Sequence, residues 1–597
     1  MINRVLDATP CTSLADHLAA GGGRAVAEAH RLGGEATIEL VEASGLRGRG
    51  GAGFPTGVKW RTVDGAASDT APTPVVVNAA EGEPGTFKDR MLIRRNPYKV
   101  IEGALVAAVV LGAREVVIAT KASFTHEVRL LRRAIAEIEA SSLASDVAIR
   151  LVLGPDSYLF GEETALLEVV EGRQPFPRIA PPYRRGLDPN EVSPQRNASR
   201  IRLAGGTEEP PALVDNVETF ANIAAIVTEG PEWFRSLGTS ACPGTLICTV
   251  TGHTRRHGVG EYPMGTPLSQ VIDELGGGAR PDRTLIAAIS GVANPVLPPS
   301  AFGTPLSYES MSRIGSGLGA GGFIVFDDSV DPVAVAEGIA HFLAVESCGQ
   351  CTPCKADGLS IAATLGSLRT TPSTPRIMAE LTSRLDTVVR GARCYLAHQQ
   401  QRTVSSLLDL FPGSFAPRPD LLDHPVGTEL IAPVVDIVGY RAVLDSEYPR
   451  KQPDWTYNAT DSGTVPAARY SNTPLTIRPH APKEQPNLRP PSSVAQDEPA
   501  FDRIRAVHRD LDEILDHLDD AGPRGGPTPP PAVGAGTSVA RRRHRAGPLP
   551  HRLAQRAGPR RRRDVECRAC GRASRAIGGT SAGEQRRPHT GAHPGAA

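Results

Sequence analysis

The sequence predicts an α/β domain followed by a small strand-and-helix unit, a bundle of helices and a long tail without a core. Three observations predict this order. Between about residues 30 and 235, short β-branched runs alternate with helical patterns, which is typical of a sheet with helical crossovers. From residue 330 to 412, apolar residues recur at helical spacing. Beyond residue 523 the chain is mostly Arg, Gly, Pro and Ala.

The length of 597 residues is enough for two to four domains, each with its own core. The formal net charge of zero conceals an asymmetry between the tail and the rest. Residues 523–597 contain sixteen Arg and three acidic residues, a net charge of +13, so residues 1–522 carry −13. Such a tail cannot bury enough apolar surface to fold.

Composition divides the chain into six predicted segments. An N-terminal segment (1–29) precedes the α/β domain (30–235) and the strand-and-helix unit (236–310). A helical domain (311–412) starts at a Gly-rich hinge, and a Pro-rich linker with isolated elements (413–522) leads to the disordered tail (523–597). Within the linker, 429–440 is predicted as a strand or clamp and 501–518 as an amphipathic helix.

No run of eighteen uncharged apolar residues occurs, and the N-terminus lacks the apolar stretch and small-residue cleavage site of a signal peptide. The grouped cysteines favour metal ligation in a reducing compartment over a disulfide framework. We therefore expect a cytoplasmic protein, or one held peripherally at the inner face of the cell membrane through partner subunits, without direct membrane insertion.

The stretch ESCGQCTPC (346–354) places Cys348, Cys351 and Cys354 in seven positions, although the chain has only nine cysteines. A short loop with this spacing reaches three corners of one iron–sulfur cubane, and a distant cysteine supplies the fourth. Cys394 follows a predicted helix and would return beside the loop in an antiparallel bundle. Structural zinc, a redox-active disulfide and buried thiols are the alternatives. Zinc is disfavoured because its sites usually pair two two-cysteine hooks.

The remaining cysteines are interpreted differently. Cys11, Cys242 and Cys248 are isolated, as ordinary buried thiols are. Cys567 and Cys570 form a single C-x2-C pair in the tail, and without a second pair this site is incomplete. We expect no metal there.

The Gly-rich stretch SGLRGRGGAGFPTGVKW (44–60) contains G-x-G-x-x-G at Gly48, Gly50 and Gly53. It does not fit the dinucleotide fingerprint, because a helical pattern and not a strand precedes it. Glycines still let backbone N–H groups approach an anion, and Arg47, Arg49 and Lys59 add positive charge. The alternative is a flexible turn with solvated arginines.

Two other polar stretches lie beside apolar segments: NAAEGEPGTFKDR (78–90) follows a strand, and GEETALL (161–167) opens a helix. Acidic residues at a helix start often only complement the helix dipole. Several polar loops at strand ends of one α/β domain are, however, where a ligand crevice forms.

Five motifs occur in a recognisable order: GLRGRGGAGFPTGVKW, EGEPGTFKDR, GEETALLE, DNVETFANI and ESCGQCTPC. Over about residues 30–412 the chain resembles the NADH-binding F-type flavoprotein subunits of respiratory NADH:quinone oxidoreductase (complex I). It is also similar to their relatives in NAD-reducing hydrogenases and formate dehydrogenases. The resemblance implies a Rossmann-like domain for FMN and NADH, an SLBB β-grasp domain and a four-helix domain carrying one [4Fe–4S] cluster.

The resemblance also implies the residues that hold each group. The flavin phosphate and nucleotide would bind Gly48, Arg49, Gly50, Gly51 and Lys59. The flavin would contact Asn78, Glu81, Tyr158, Gly161, Glu162, Asn216 and Thr219. The nicotinamide side would be formed by Phe54, Glu83, Glu163 and Tyr183, with Tyr183 where the family usually has Phe. The cluster ligands would be Cys348, Cys351, Cys354 and Cys394.

Three positions depart from the family pattern. Ala80 replaces an Asp near the flavin, Asp215 replaces an Asn, and Thr62 stands where a second aromatic residue is usual. Losing one polar contact of about 1–3 kcal/mol would weaken flavin binding about tenfold or more. The departures indicate a divergent paralogue.

The resemblance implies an NADH dehydrogenase flavoprotein subunit. In this interpretation a hydride would pass from NADH to FMN, and single electrons would then pass to the [4Fe–4S] cluster and onward to partner iron–sulfur subunits and quinone. No side chain is expected to act as acid or base. The alternatives are a diaphorase subunit of an NAD-dependent hydrogenase or formate dehydrogenase, and a non-catalytic iron–sulfur scaffold. Non-specific nucleic-acid binding through RRRHR (541–545) and RRRRD (560–564) is disfavoured, because no aromatic residue interleaves with these arginines.

Overall fold

The structure, a computed structural model, describes residues 1–67, 73–144, 146–187, 210–451 and 453. The predicted helix at 501–518, the Cys567–Cys570 pair and the arginine runs lie outside the described residues. Within the described residues no helix combines the length and the apolarity that crossing a bilayer requires.

The first domain is built on a four-stranded parallel sheet in the order β3-β2-β1-β4. Alternate side chains of β1 face opposite layers. Val75 and Val77 pack against the helical layer that contains α6 and α9, and Val76 packs against the side that contains α8. The strands are β1 (Val75–Ala79), β2 (Glu115–Lys121), β3 (Ala148–Gly154) and β4 (Leu213–Asn216).

Ten helices of the described chain belong to this domain, and the predicted alternation of strands and helices is confirmed. The long helix α6 is apolar on nearly all sides, because it lies between the sheet and other helices. The helices are α1 (Leu14–Ala19), α2 (Arg24–Leu32), α3 (Gly34–Ser44), α4 (Thr56–Asp64), α5 (Lys88–Arg95), α6 (Pro97–Leu111), α7 (Thr125–Glu139), α8 (Glu163–Val170), α9 (Val217–Glu229) and α10 (Pro231–Arg235).

The N-terminal segment is part of the first domain, so the predicted boundary at residue 30 is too late. Ala25 and Ala29 of α2 are fully buried in the domain core. The buried Glu102 of α6 accepts the N–H of Ala25 at 2.9 Å and pairs with His17 at 2.8 Å. These contacts join residues 14–32 to the central helix.

The second domain is a four-stranded sheet in the order β6-β5-β8-β7, in which β5 and β8 are parallel and the other pairs antiparallel. Its elements are β5 (Thr245–Gly252), β6 (Gly258–Pro263), α11 (Leu268–Val271), β7 (Leu285–Ser290), α12 (Tyr308–Arg313) and β8 (Gly322–Asp327). The predicted boundary at 311 and the predicted hinge at 315–323 are wrong, because β8 lies inside this sheet. Gly319 and Gly321, with φ of 56° and 75°, form the tight turn that leads into it.

The third domain is the predicted bundle, with helices α13 (Pro332–Glu346), α14 (Thr352–Ser367), α15 (Pro375–Thr387), α16 (Leu396–Leu410) and the short α17 (Pro412–Phe415). Asp331 caps α13 and Thr374 caps α15, each accepting a backbone N–H. The loop between α13 and α14 carries Cys348 and Cys351.

Residues 416–451 fall in the predicted linker, but the structure shows ordered chain packed on the domains. The predicted strand at 429–440 is confirmed as β9 (Val434–Val438), which forms a hairpin with β10 (Arg441–Leu444). Ile431 and Tyr448 are buried in the core of the helical bundle.

Candidate functional site

Polar residues collect where the four parallel strands end. Asn78 lies at the end of β1 and Asn216 at the end of β4, and the two positions pair in register. The side-chain amide of Asn78 donates to the carbonyl of Gly161 at 2.8 Å, which joins the loop after β1 to the loop after β3. This edge is where open parallel sheets bind their ligands.

The Gly-rich loop has the properties of an anion cradle. The N–H groups of Gly50 and Gly51 have no acceptor among the residues that the structure describes. A Cβ added at Gly50 would come no closer than 3.5 Å to Asn216, and one added at Gly48 would lie 3.6 Å from the nearest atom. The fold itself therefore does not require glycine at these two positions, whereas a phosphate approaching the backbone does. The loop fits the phosphate of FMN.

Lys59, on the helix that follows the Gly-rich loop, lies between two carboxylates. Its ammonium contacts Glu163, and Asp215 is 3.4 Å away. Burial opposes the charge on Lys59, but the two carboxylates raise the pKa of the amine above its usual value. Lys59 is therefore charged, and Glu163, which is 44% exposed, is the partner that an incoming phosphate can replace.

Arg49 does not reach the cradle, contrary to the prediction for its side chain. The side chain is completely buried and donates to three backbone carbonyls: Thr245 at 3.1 Å, Pro243 at 3.4 Å and Arg47 at 3.0 Å. Its backbone N–H donates to the hydroxyl of Thr219 at 2.9 Å. Arg49 and Thr219 thus fix the loop to the second domain and to α9.

We expect Arg49→Met to destabilise the protein by about 3–5 kcal/mol, because three buried carbonyls lose their donor and Glu218 loses a nearby cation. Chemical unfolding would measure this loss. Arg24→Gln is the matched control, since its ion pair with Glu229 is exposed and contributes less than about 1 kcal/mol. Equal effects of the two substitutions would contradict the role assigned to Arg49.

Glu81 and Asn216 are likewise engaged by protein groups. The buried carboxylate of Glu81 pairs with Arg90 at 2.9 Å and accepts the N–H of Asp89 at 3.1 Å. The side chain of Asn216 accepts from Lys88 at 2.9 Å and donates to Asp89 at 2.8 Å. The side chain of Glu81, predicted to contact the flavin, is thus held in place by Arg90 and the backbone of Asp89.

The acidic pair that opens α8 divides into two roles. Glu162 caps the helix, because its carboxylate accepts the N–H groups of Thr164 at 3.1 Å and Ala165 at 2.8 Å. Burial nevertheless raises the pKa of Glu162 above its usual value. Glu163 points outward to Lys59. Phe54 and Tyr183, predicted on the nicotinamide side, are 53% and 40% exposed.

Glu83 connects all three domains at the edge of the crevice. One carboxylate oxygen accepts the N–H of Val292 in the second domain at 2.6 Å, and the other accepts the hydroxyl of Tyr158. Gln399 of α16 donates to the same hydroxyl at 2.7 Å. Desolvation raises the pKa of Glu83 to about 7, although both hydrogen bonds oppose this shift.

The raised pKa of Glu83 predicts a pH-dependent stability. The folded protein binds this proton more tightly than the unfolded chain, so stability falls, by at most about 3 kcal/mol, as pH rises from the ordinary value of 4.5 through 7. We expect Glu83→Gln to remove this decline. Thermal unfolding of both proteins at several pH values across that window would test it, and parallel curves would contradict it.

The four predicted cluster cysteines line one cavity. Cys348, Cys351 and Cys354 come from the loop and first turn of α14, and Cys394 comes from the turn before α16. The other residues of the wall are mostly apolar: Leu159, Pro177, Ser347, Ala392, Arg393, Leu396 and Ala397. The bundle therefore returns the distant cysteine to the loop, as the sequence predicts.

Burial and neighbouring thiols raise the pKa of Cys348, Cys354 and Cys394, for Cys354 to about 11. Several thiolates in such a cavity need positive charge, and iron supplies it when the cluster binds. Gln350 donates to the sulfur of Cys348 at 3.5 Å, and the hydroxyl of Ser347 lies 3.3 Å from the sulfur of Cys354. The donor set fits an iron–sulfur cluster.

Within the described ranges no three His, Cys, Asp or Glu side chains are arranged to hold a single metal ion. The ligands of a cubane have a different arrangement, because each of the four cysteines binds a different iron atom. The four sulfurs and the mostly apolar wall of the cavity are the features that fit a cluster.

The three departures from the family pattern have distinct surroundings. Ala80 packs in the apolar layer on the α8 side of the sheet. Thr62 donates to the carbonyl of Val58 within its own helix, at 2.8 Å. Asp215 accepts the indole N–H of Trp60 at 2.9 Å, and burial raises the pKa of Asp215. The carboxylate at 215 thus adds a hydrogen bond beneath the cradle and a counter-charge for Lys59.

Sequence reasoning missed two residues of the site. Leu159 lines the cysteine cavity, and Gly161 of the same loop accepts from Asn78 in the crevice, so one loop forms part of the wall of both predicted sites. Lys121, at the end of β2, is buried, and desolvation lowers the pKa of its amine to about 8. The sequence signal for Lys121 was its position as a lysine at the end of an apolar strand. No local sequence pattern pointed to Leu159.

Three sequence models match the chain in the order of the observed domains. They are the Nuo51 FMN-binding domain over residues 41–225, the SLBB domain over 247–291, and the NADH-ubiquinone oxidoreductase-F iron-sulfur binding region over 334–418. The predicted fold class and the two cofactors, FMN and a [4Fe–4S] cluster, are confirmed by these matches.

Curated proteins agree with this assignment. The chain is 37% identical over 355 residues to an F-type subunit of NADH-quinone oxidoreductase, the one numbered 2, of Rhizobium meliloti (strain 1021), covering 57% of this chain and 79% of that protein. It is 38% identical over 333 residues to the F-type NADH-quinone oxidoreductase subunit of Rickettsia felis (strain ATCC VR-1525 / URRWXCal2), covering 54% and 74%.

A crystal structure of an NAD+-reducing [NiFe]-hydrogenase in the H2-reduced state aligns with a TM-score of 0.57 and 32% identity. The alignment covers 69% of this chain and 66% of that chain, just under two thirds of its length. Together with three domain matches in the same order, these similarities show that the chain belongs to the family of F-type NADH-quinone oxidoreductase subunits.

Proposed function

We propose that this chain is the NADH-oxidising flavoprotein subunit of a multi-subunit oxidoreductase, which passes electrons to partner iron–sulfur subunits and from them to quinone. When bound, FMN accepts two electrons together and gives them up singly, and the [4Fe–4S] cluster takes one at a time. The observation that carries the proposal is the shared wall between the crevice and the cysteine cavity. The loop 158–163 supplies Leu159 to the cavity and Gly161 to the crevice.

The side chains of the crevice bind and orient. The backbone N–H groups of Gly50 and Gly51 would receive the flavin phosphate, with Lys59 as a nearby cation, whereas the N–H of Gly48 donates to the carbonyl of Phe54 at 2.8 Å and shapes the loop. Phe54 and Tyr183 are exposed aromatic residues available to the nucleotide. Glu83 and Tyr158 are fixed by hydrogen bonds, so the edge of the crevice is preorganised and its contribution to the reaction is placement.

Four cysteines of the cavity would hold the cluster, namely the buried Cys354 and the partly buried Cys348, Cys351 and Cys394. The apolar wall around them excludes water, and the hydrogen bonds from Gln350 and Ser347 adjust the electron density on sulfur. No side chain is assigned as an acid or base, and the one proton that FMN takes up with the hydride would come from solvent.

An anaerobic titration with NADH, followed in the visible range and by electron paramagnetic resonance (EPR), tests the proposal. We expect bleaching of the flavin together with the signal of a reduced cluster. Flavin bleaching without a cluster signal would contradict the transfer step. Brown cluster absorbance without yellow flavin absorbance would favour the non-catalytic scaffold.

A diaphorase subunit of an NAD-dependent hydrogenase is the second candidate, favoured by the structural similarity to the NAD+-reducing hydrogenase. The two candidates differ in the partner and not in the chemistry of this chain. Copurification of the chain from its native source distinguishes them, because quinone-reducing subunits support the first candidate and hydrogenase subunits the second.

A further inference from the structure

Residues 429–451, here called the strap, lie beyond all three matched regions, the last of which ends at residue 418. The strap nevertheless contacts each domain. It consists of an extended segment, the hairpin of β9 and β10, and a final turn at Tyr448–Arg450. Its role is therefore not assigned by the similarity of the chain to its family.

The hairpin holds the first two domains together. His257 of the second domain donates its backbone N–H to the carbonyl of Tyr440 at 2.7 Å, and its ring accepts the N–H of Ala442 at 2.8 Å. On the first domain, Arg90 donates to the carbonyl of Val434 and Arg94 pairs with Asp436 at 2.7 Å. Most of these contacts use strap backbone atoms, so they fix the path of the strap.

The end of the strap places a buried lysine between the first and third domains. Lys451 is 3% exposed, and its ammonium donates to the carboxylate of Glu346 at 3.1 Å and to the carbonyl of Asp156 at 2.9 Å. Glu346 is 2% exposed and ends α13. Within the part of the chain that the structure describes, Lys451 is the one cation in ion-pair distance of Glu346.

Both partners of Lys451 lead directly to the redox sites. Glu346 precedes Cys348 by two positions, and its second oxygen accepts the backbone N–H of Tyr158 at 3.0 Å. Asp156 lies at the start of the same loop, which continues through Tyr158 to Leu159 in the wall of the cysteine cavity. The ring of Tyr158 contacts Phe342 at 5.3 Å between ring centroids, on the helix that carries Glu346.

We propose that Lys451 is a positioning residue that aligns the flavin loop (155–163) with the cysteine loop (347–354) for electron transfer between them. It acts through Glu346, the residue that immediately precedes the cysteine loop, and through the carbonyl of Asp156 in the flavin loop, because one ammonium bonds both groups. The inference rests on the proposed function. It adds that the competence of the redox junction depends on a segment outside the family domains.

Lys451→Met removes the ammonium that joins Glu346 to the carbonyl of Asp156, so the bond from the N–H of Tyr158 to Glu346 remains as the direct contact of Glu346 with the flavin loop. The cradle, Lys59 and the four cysteines stay unchanged. We expect flavin reduction by NADH to keep its rate, while cluster reduction slows about tenfold or more, because small misplacements at a reaction junction have large kinetic effects. The NADH concentration for half-maximal flavin reduction stays the same. A general loss of fold would instead lower both rates and release both cofactors.

The experiment is anaerobic stopped-flow mixing of the full-length, cofactor-loaded protein with NADH, with flavin followed by absorbance and the cluster by rapid-freeze EPR. Lys451→Arg keeps the charge and is expected to restore most of the cluster rate. Arg441→Gln, an exposed position in the same strap, is the matched control and keeps the parent rates. Parent-like cluster reduction in Lys451→Met would overturn the inference.

The double variant Glu346→Gln, Lys451→Met covers the outcome in which the single variant does not fold, because it leaves no unpaired buried charge. Slow cluster reduction in the double variant supports the inference, and a return to the parent rate overturns it. Failure of the proposed function has a different signature: the unmodified protein would then show no cluster reduction by NADH at all.

Discussion

Replacing Cys394 by serine is expected to abolish the [4Fe–4S] signal while the flavin remains bound. The cavity has four sulfurs and an otherwise mostly apolar wall, so it offers no ready replacement for the lost thiolate. A hydroxyl at this position binds iron far less well than a thiolate. Cys394 lies in the third domain, whereas the glycine cradle and Lys59 belong to the first.

Iron and acid-labile sulfide analysis, together with EPR after NADH addition, would measure this loss. We expect iron content to fall towards zero and visible flavin bleaching to persist. Cys11→Ser is the matched control, because Cys11 is a partly buried thiol far from the cavity walls and bonds only a nearby carbonyl. A full complement of iron in the Cys394 variant would refute the assigned fourth ligand.

Replacing Gly50 by alanine is expected to weaken FMN binding about 10- to 100-fold, the equivalent of losing about 1.5–3 kcal/mol of hydrogen bonding to a charged phosphate. The added methyl group would lie 3.5 Å from Asn216, an ordinary contact, so the apoprotein tolerates it. The methyl would instead occupy the space through which the phosphate reaches the backbone N–H groups of Gly50 and Gly51.

Fluorescence titration of the apoprotein with FMN would measure this change, and the thermal midpoint without FMN would show that the fold is retained. Gly303→Ala is the matched control, since a Cβ at that exposed position meets nothing within 4 Å. Unchanged FMN affinity in the Gly50 variant would contradict the cradle.

Periodicity and cysteine spacing predicted the parts of the molecule that local sequence controls. The valines of β1 and the apolar residues of α13 are buried, as their patterns predict. Cys394 could be placed beside the cysteine loop because a bundle of short-looped helices runs antiparallel. Local signals of this kind depend on near neighbours in the chain.

Side-chain direction could not be predicted in the same way. The position of Arg49 between glycines predicts a phosphate ligand. Two of the carbonyls that its side chain bonds instead belong to Pro243 and Thr245, almost two hundred positions later in the chain. Glu81 similarly turns to Arg90. Buried ion pairs and contacts to carbonyls depend on which distant segment of the chain covers a loop. The residues near the motif do not indicate which segment this is.

The predicted domain boundaries were wrong where a segment has no hydrophobic core of its own. The glycines at 315–323 indicate a hinge by composition, yet two of them form the turn that inserts β8 into an existing sheet. The sheet in the strap is a two-stranded hairpin, which is too short to be stable alone, so the strap is held by hydrogen bonds and ion pairs to the three domains.

The sheet order has a consequence for biosynthesis. Asn78 of β1 pairs with Asn216 of β4, and 138 positions separate them (216 − 78). At ribosomal rates of about 5–20 residues per second, roughly 7–28 s pass between the emergence of the two strands. During that time one edge of an apolar strand stays open, which invites aggregation. The nascent chain should therefore depend on chaperones until residue 216 has left the exit tunnel.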